Sequence, residues 1–148
     1  GAVLAICCDV RIMAEGDFRI GLNEVQVGLG LPTTIYRALA RLVGERQAER
    51  LGVGGLLVSA SEALRLGLVD QLVPIDQVVP AALDWCRSIL ALPPRAMAET
   101  RALARQSLRQ LFEPDATAEL AALVAAWTAA EAQGAMRALV ARLAEKHG

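Results

Sequence analysis

At 148 residues the chain is long enough for one domain with a real core and points to one rather than two. Hydrophobic residues make up 55% of it but aromatics only 3%, and alanine and leucine dominate, a composition that favours helices. A net charge of −1 argues against a nucleic-acid partner, which calls for a basic face, and no apolar run reaches the roughly 18 residues that a membrane-spanning helix needs.

The chain opens with GAVLAICCDVRIMAE, predicted as a short buried helix or turn that becomes a strand from about Val10 to Ala14. It enters this run without a cap or polar lead-in, as the C-terminal part of something longer would. DFRIGL then alternates, with Phe18, Ile20 and Leu22 on one side, as a half-exposed strand does. In NEVQVGLGLP, Gly28, Gly30 and Pro32 break any regular element. Thr33 or Thr34 can cap one helix through TIYRALARLVGERQAERLG, with Ile35, Leu39, Leu42 and Val43 as its apolar stripe and Gly52 to Gly55 at its end.

LLVSASEALRLG reads as a link and a short helix, where Ser59 and Glu62 have capping-box spacing and Gly67 suits the position after the helix. LVDQLVP is a short strand closed by Pro74. From Asp76 onward the pattern is helical. DQVVPAALDWCRSILAL is expected to bury Val78, Val79, Ala82, Cys86, Ile89 and Leu90, with Asp76 as its cap. Pro93 and Pro94 restart the chain into RAMAETRALARQSLRQLF, a third helix covers Thr117 to Glu131, and Gly134 separates it from a fourth. The picture is a small α/β front half and an all-helical tail.

Cys7, Cys8 and Cys86 read as reduced, mostly buried thiols of a cytosolic protein. With His147 as the single histidine, a zinc site and Ser-His-Asp chemistry are both disfavoured, and no metal ligands are assigned. Asp9 reads as a structural acid for backbone or Arg11, the row Arg37, Arg41, Arg46 and Arg50 as a solvated helix face, and Trp85 and Trp127 as packing residues.

That leaves Glu24, a lone carboxylate at the junction of a strand and a glycine-punctuated loop. Spacing alone favours a surface turn acid satisfied by a backbone N–H. The other reading is a proton-transfer group, because apolar neighbours such as Val25, Val27, Leu29 and Leu31 favour a carboxylate's protonated form and suit it to general acid–base work.

The order of segments resembles the crotonase superfamily, the enoyl-CoA hydratase/isomerase fold. GAVLAICCDVRIMAE is similar to the second half of its signature, in which a glycine pair opens a helix and an Ala-x-x-Cys-Asp run leads into a strand. FRIGLNEVQVGL resembles the strand and loop of the family's second catalytic position, and GLLVSASEALRLGLVDQLVP its short helix and strand. LALPPRAMAETRALARQ and EAQGAMRALVAR are similar to helices of its tail, so the likeness covers essentially the whole chain in order.

The resemblance implies an α/β fold: residues 1–75 as the C-terminal part of a crotonase-like ββα superhelix, and residues 76–148 as a helical trimerisation region. About the first hundred residues of a full-length member would be absent. It places Glu24 on the family's second acid, whereas the first, which hydratases use with the second to share one water, falls on Val3. The GLNE-x-Q-x-G form resembles the mitochondrial-type Δ3,Δ2-enoyl-CoA isomerases, which keep the second glutamate alone, and Gly30-Leu31-Pro32-Thr33-Thr34 stands where hydratases have P-G-A-G-G. The implied activity is one-base double-bond migration in an acyl-CoA during fatty-acid β-oxidation, with no cofactor. A hydratase-like member and a non-catalytic assembly subunit are the alternatives.

The family stabilises the thioester oxygen with two backbone N–H groups, one from the front half expected to be absent and one from the glycine pair of which Gly1 would be at best the second member, so that the isolated 148-residue chain would have little activity. An arginine of the Arg37 row could serve a CoA phosphate, and Lys146 could approach the CoA adenine from a neighbouring subunit. The implied assembly is a homotrimer or a dimer of trimers, in bacterial cytoplasm or the mitochondrial matrix, with no nucleic acid and no membrane.

Overall fold

The computed structural model describes residues 1–113 and 117–145. Lys146 and His147 lie outside the described residues. The first part alternates short elements: α1 (Ala2–Ala5), β1 (Ile12–Ala14), β2 (Arg19–Ile20), a 3-10 turn (Glu24–Val27), α2 (Thr33–Val43), α3 (Glu45–Gly54), β3 (Val58–Ser59), α4 (Ala60–Arg65) and β4 (Gln71–Val73). After a second 3-10 turn (Ile75–Gln77) come α5 (Val78–Leu90), α6 (Pro94–Ala104), α7 (Gln106–Gln110), α8 (Thr117–Thr128) and α9 (Ala130–Glu145).

β1 and β4 pair in parallel, with Met13 opposite Leu72. Parallel strands require a long crossover, and this one contains the turn that begins at Glu24. Within it β2 pairs antiparallel with β3, Ile20 opposite Val58. The link expected around Val58 is therefore a strand, because Val58 is buried and has a pairing partner. Ile6, Leu22, Leu39, Leu51, Leu68 and Val69 form the centre of the core, joined from the tail by Leu108. Of the predicted strand face, Leu22 is buried and Ile20 half-buried, but Phe18 is exposed.

The single helix predicted from Thr33 is two. Gly44 takes φ 81° and ψ 153°, a conformation open mainly to glycine; its N–H closes α2 on the Ala40 carbonyl at 2.8 Å, and its carbonyl accepts the Ala48 N–H of α3 at 3.0 Å. Neither threonine caps α2 with its side chain; Pro32 holds the cap position. Ser59 does cap α4, accepting the Glu62 N–H at 3.3 Å, and Gly67 follows that helix at φ 73°.

The tail departs further from the periodic reading. Arg105 (φ −101°, ψ 2°) separates α6 from α7, and Ala129 rather than Gly134 separates α8 from α9. There the Gln133 side chain donates to the Trp127 carbonyl at 2.8 Å, while Gly134 lies inside α9. Asp76 sits in the 3-10 turn and makes no cap bond to α5. On α5, Val78, Ala82 and Ile89 of the predicted stripe are half-buried, but Val79, Cys86 and Leu90 are exposed, because only part of that face is covered among the described residues. Trp127 is half-exposed too, and of the thiols predicted as mostly buried, Cys8 and Cys86 are exposed while Cys7 is half-buried against the core. No described helix is long and apolar enough to cross a membrane.

Candidate active site

The turn that begins at Glu24 is fixed by close backbone approaches that only glycine permits. A Cβ on Gly21 would lie 2.2 Å from the Leu56 carbonyl oxygen, which brings the end of β2 hard against the chain leaving α3. Gly55, in the left-handed conformation that ends α3, faces the turn so closely that a Cβ there would meet the Val25 Cγ2 at 2.7 Å. Gly28 ends the turn at φ 75°, and α9 packs on it: a Cβ would lie 3.0 Å from the Ala132 Cα. The turn also holds itself, with the Leu29 N–H on the Glu24 carbonyl at 3.0 Å and buried Leu29 beneath. Gln26 donates through Nε2 to the Gly55 carbonyl at 2.7 Å, tying the turn to α3.

This framework leaves one carboxylate oxygen without a hydrogen bond. Glu24 Oε2 is buried and has no hydrogen-bond partner among the described residues. A turn acid satisfied by a backbone N–H would have filled that position, so Oε2 does not serve the turn. A buried acceptor left without a partner carries the full desolvation cost of that group. Its setting is mixed rather than uniformly apolar: Leu29 is buried, Val27 half-buried and Val25 exposed.

Gly1 precedes α1 and is exposed, and Val3 lies half-buried on α1 against the core. Gly1 lines a 460 Å³ cavity with Cys8, Met13 and Arg19. Glu24 lines neither that cavity nor a larger one of 720 Å³ between α5 and α6, whose walls include Trp85, Leu90, Met97 and Arg101. Glu24 and Gly1 thus share neither of these two cavities. Among the described residues no three His, Cys, Asp or Glu side chains converge as metal ligands would.

The remaining singled-out residues are structural in their contacts. Asp9 pairs with Arg101 at 2.7 Å and Arg105 at 3.0 Å, not with Arg11, whose partner is Asp70 at 2.8 Å. The Arg101 hydrogen bond is the chief reason the Asp9 carboxyl titrates below its ordinary range. Burial pushes the Cys7 thiol up. Arg41 reaches Ser107 Oγ at 2.8 Å and the Ala104 carbonyl at 2.7 Å, tying α2 to the tail rather than facing solvent alone. Sequence reasoning missed Glu119, whose carboxylate meets the start of α2; no spacing in the chain signals a contact between residues so far apart. The Asp9 contacts had a signal, since Arg101, Arg105 and Arg109 recur at helical spacing and mark a basic ridge.

Comparison with known proteins adds the family. The enoyl-CoA hydratase/isomerase family matches residues 1–146. The chain belongs to that family. It is 34% identical over 149 residues to the human mitochondrial enoyl-CoA delta isomerase 1, covering 100% of this chain and 49% of the relative. It is 35% identical over 102 residues to a probable enoyl-CoA hydratase, EchA17, of Mycobacterium tuberculosis, covering 69% of this chain and 39% of that protein. The crystal structure of human mitochondrial Δ3,Δ2-enoyl-CoA isomerase superimposes with a TM-score of 0.86 at 33% identity, over 99% of this chain and 57% of that one. The chain spans about half the length of the curated relatives it matches. The architecture is accordingly a partial crotonase-like fold, α/β at first and helical in the tail.

Proposed function

We propose that this family member shifts the double bond of a 3-enoyl-CoA to the 2-position by one-base proton transfer, with Glu24 as the base. The observation that carries the reading is the buried, unpartnered Oε2 of Glu24 on a turn locked by Gly21, Gly28 and Gly55. A 3-enoyl thioester has C2 protons made acidic by both the carbonyl and the double bond. The Glu24 carboxylate takes one of them, leaving a dienolate, and its carboxyl returns the proton to C4. The double bond is then conjugated, Glu24 is again a carboxylate, and no cofactor or nucleophile is consumed.

Val3 supports migration over hydration: a valine on α1 can neither activate water nor donate a proton. The similarity to the human enoyl-CoA delta isomerase points the same way. The negative thioester oxygen needs preorganised donors, each worth about 2.7–4 kcal/mol in comparable sites. In this reading Gly1 contributes to one of them through the backbone at the start of α1. Residues 1–75 act as part of the catalytic core and 76–148 as a trimerisation region, in a homotrimer or dimer of trimers. The compartment is the mitochondrial matrix or bacterial cytoplasm.

The test is made on a full-length protein that carries this sequence. Supplied with 3-enoyl-CoA, the wild type forms the conjugated 2-enoyl product, and Glu24→Gln loses at least about 10²-fold in kcat, the range of general acid–base catalysis. A glutamine variant as fast as wild type removes Glu24 from the chemistry. Water addition to 2-enoyl-CoA without migration makes the protein a hydratase, and thioester binding without turnover makes it non-catalytic.

A further inference from the structure

We propose that Glu119 is a positioning residue: its carboxylate fastens the α8–α9 hairpin to the start of α2 and so holds α9 on the turn that carries Glu24. The first backbone N–H groups of a helix have no partner within it, and Pro32, at the cap position of α2, has no side-chain acceptor to offer. Glu119, in the first turn of α8, supplies one from across the fold. One carboxylate oxygen accepts the Thr33 backbone N–H, and the other lies 3.3 Å from the Thr34 hydroxyl, whose proton it shares with the Leu111 carbonyl at 3.4 Å. An anion is also favourable there because the N-terminal end of α2 carries the positive end of its dipole.

The same hairpin has a second attachment, where fully buried Ala132 of α9 sits against Gly28. The segment from Gly28, where the Glu24 turn ends, to Thr34 is therefore held at both ends by one hairpin. Apolar packing contributes little to holding α8. None of its residues is fully buried, Leu120, Val124 and Trp127 are more than half exposed, and a 240 Å³ cavity lined by Ile35, Phe112 and Leu123 lies beside Glu119. Where packing is loose, the charge-assisted hydrogen bonds decide where the hairpin rests.

The inference rests on Glu24 as the base, and its test is made on the full-length protein that carries this sequence. Glu119→Ala should lower kcat about tenfold with KM within about twofold, since a shifted base loses alignment rather than substrate affinity. Amide hydrogen exchange at Thr33 and across residues 24–29 should speed up in the same variant. Glu119→Gln keeps a carbonyl acceptor and should recover kcat to within about threefold of wild type. A Glu119→Ala enzyme whose kcat per folded molecule stays within twofold overturns the proposal, whatever its melting temperature, as does a glutamine variant no better than alanine. If Glu24→Gln is itself fully active, the functional reading fails separately, and unchanged exchange across 24–33 in Glu119→Ala then overturns the positioning role on its own.

Discussion

Gly28 and Ala132 touch backbone to backbone: a Cβ built on Gly28 would lie 3.0 Å from the Ala132 Cα and 3.2 Å from its nitrogen. A residue of the core turn and a residue of the terminal helix thus share one contact, and the glycine is required twice, for its φ of 75° and for the space. Gly28→Ala should destabilise the protein by more than about 1 kcal/mol from the left-handed backbone alone, with a further cost as α9 is pushed away. Urea denaturation measures the first, and faster amide hydrogen exchange across residues 24–29, beyond the unfolded fraction, reports the second. Gly134→Ala is the internal control: this glycine is inside α9 with open space around its Cα, so alanine should stabilise by about 0.5–1 kcal/mol. Equal effects of the two substitutions would show that the Gly28 contact has no special weight.

Gly21 predicts a harsher outcome. A Cβ 2.2 Å from the Leu56 carbonyl oxygen cannot be accommodated by a side-chain rotation, because the obstacle is main chain. Gly21→Ala must separate the end of β2 from the strand that follows α3, at a cost of about 3 kcal/mol or more by comparison with overpacked cores. The measurable result is a lower urea midpoint, with the β2–β3 amides losing protection ahead of those in β1 and β4. A variant within 0.5 kcal/mol of wild type would mean that the approach is slack in solution.

These glycines mark the limit of what the residues alone convey. The α/β order, the Ser59 cap and the placement of Glu24 at a strand–loop junction are all local, set by spacing within a few residues, and they were legible. Gly28 was legible as a breaker but not as the seat of Ala132, because nothing local encodes a contact with α9. Gly134 shows the reverse failure: local propensity marked a break there, yet the chain turns at Ala129, where the Gln133 side chain reaches back to the Trp127 carbonyl. The α5 stripe was legible as amphipathic but not as only partly covered, since amphipathicity identifies an apolar face and not its partner. For Glu24, its loneliness in sequence was legible; that its Oε2 is buried without a hydrogen-bond partner among the described residues is a product of tertiary packing and was not.

Arg11 offers a test of geometry rather than charge. Its Nη2 donates to Asp70 at 3.0 Å and its Nη1 to the Cys8 carbonyl at 2.9 Å, and its side chain is 9% exposed. One planar fork thus joins the end of α1 to the strand pair β1–β4. Arg11→Lys keeps the charge but cannot reach both acceptors in that geometry. A loss of about 1–2 kcal/mol is expected, close to one net hydrogen bond to a charged group. Thermal denaturation at neutral pH checks it, and a lysine variant as stable as wild type would show that charge alone suffices.

Asp9 predicts an acid-side dependence. Its carboxyl is held below the ordinary value of 3.8 chiefly by the Arg101 hydrogen bond, with Arg105 adding to the effect against a smaller opposing effect of burial than of the first bond. A folded-state pKa below the unfolded one means that the unfolded chain binds more protons in the window between them. The stabilisation is therefore complete above the unfolded value of about 3.9 and is lost as the pH falls through the depressed folded value. Asp9→Asn should cost about 1 kcal/mol near neutral pH, a figure reduced for the carboxylate's partial exposure. The difference from wild type should shrink below about pH 3.9 as the native Asp9 is itself protonated. Glu62, held low by Arg65, adds its own acid limb, but it is unchanged in both proteins and cancels in the difference. Urea midpoints measured across that range decide the matter: a wild-type-minus-variant difference that stays constant with pH would mean that the ion pairs of Asp9 with α6 and Arg105 do not couple to folding.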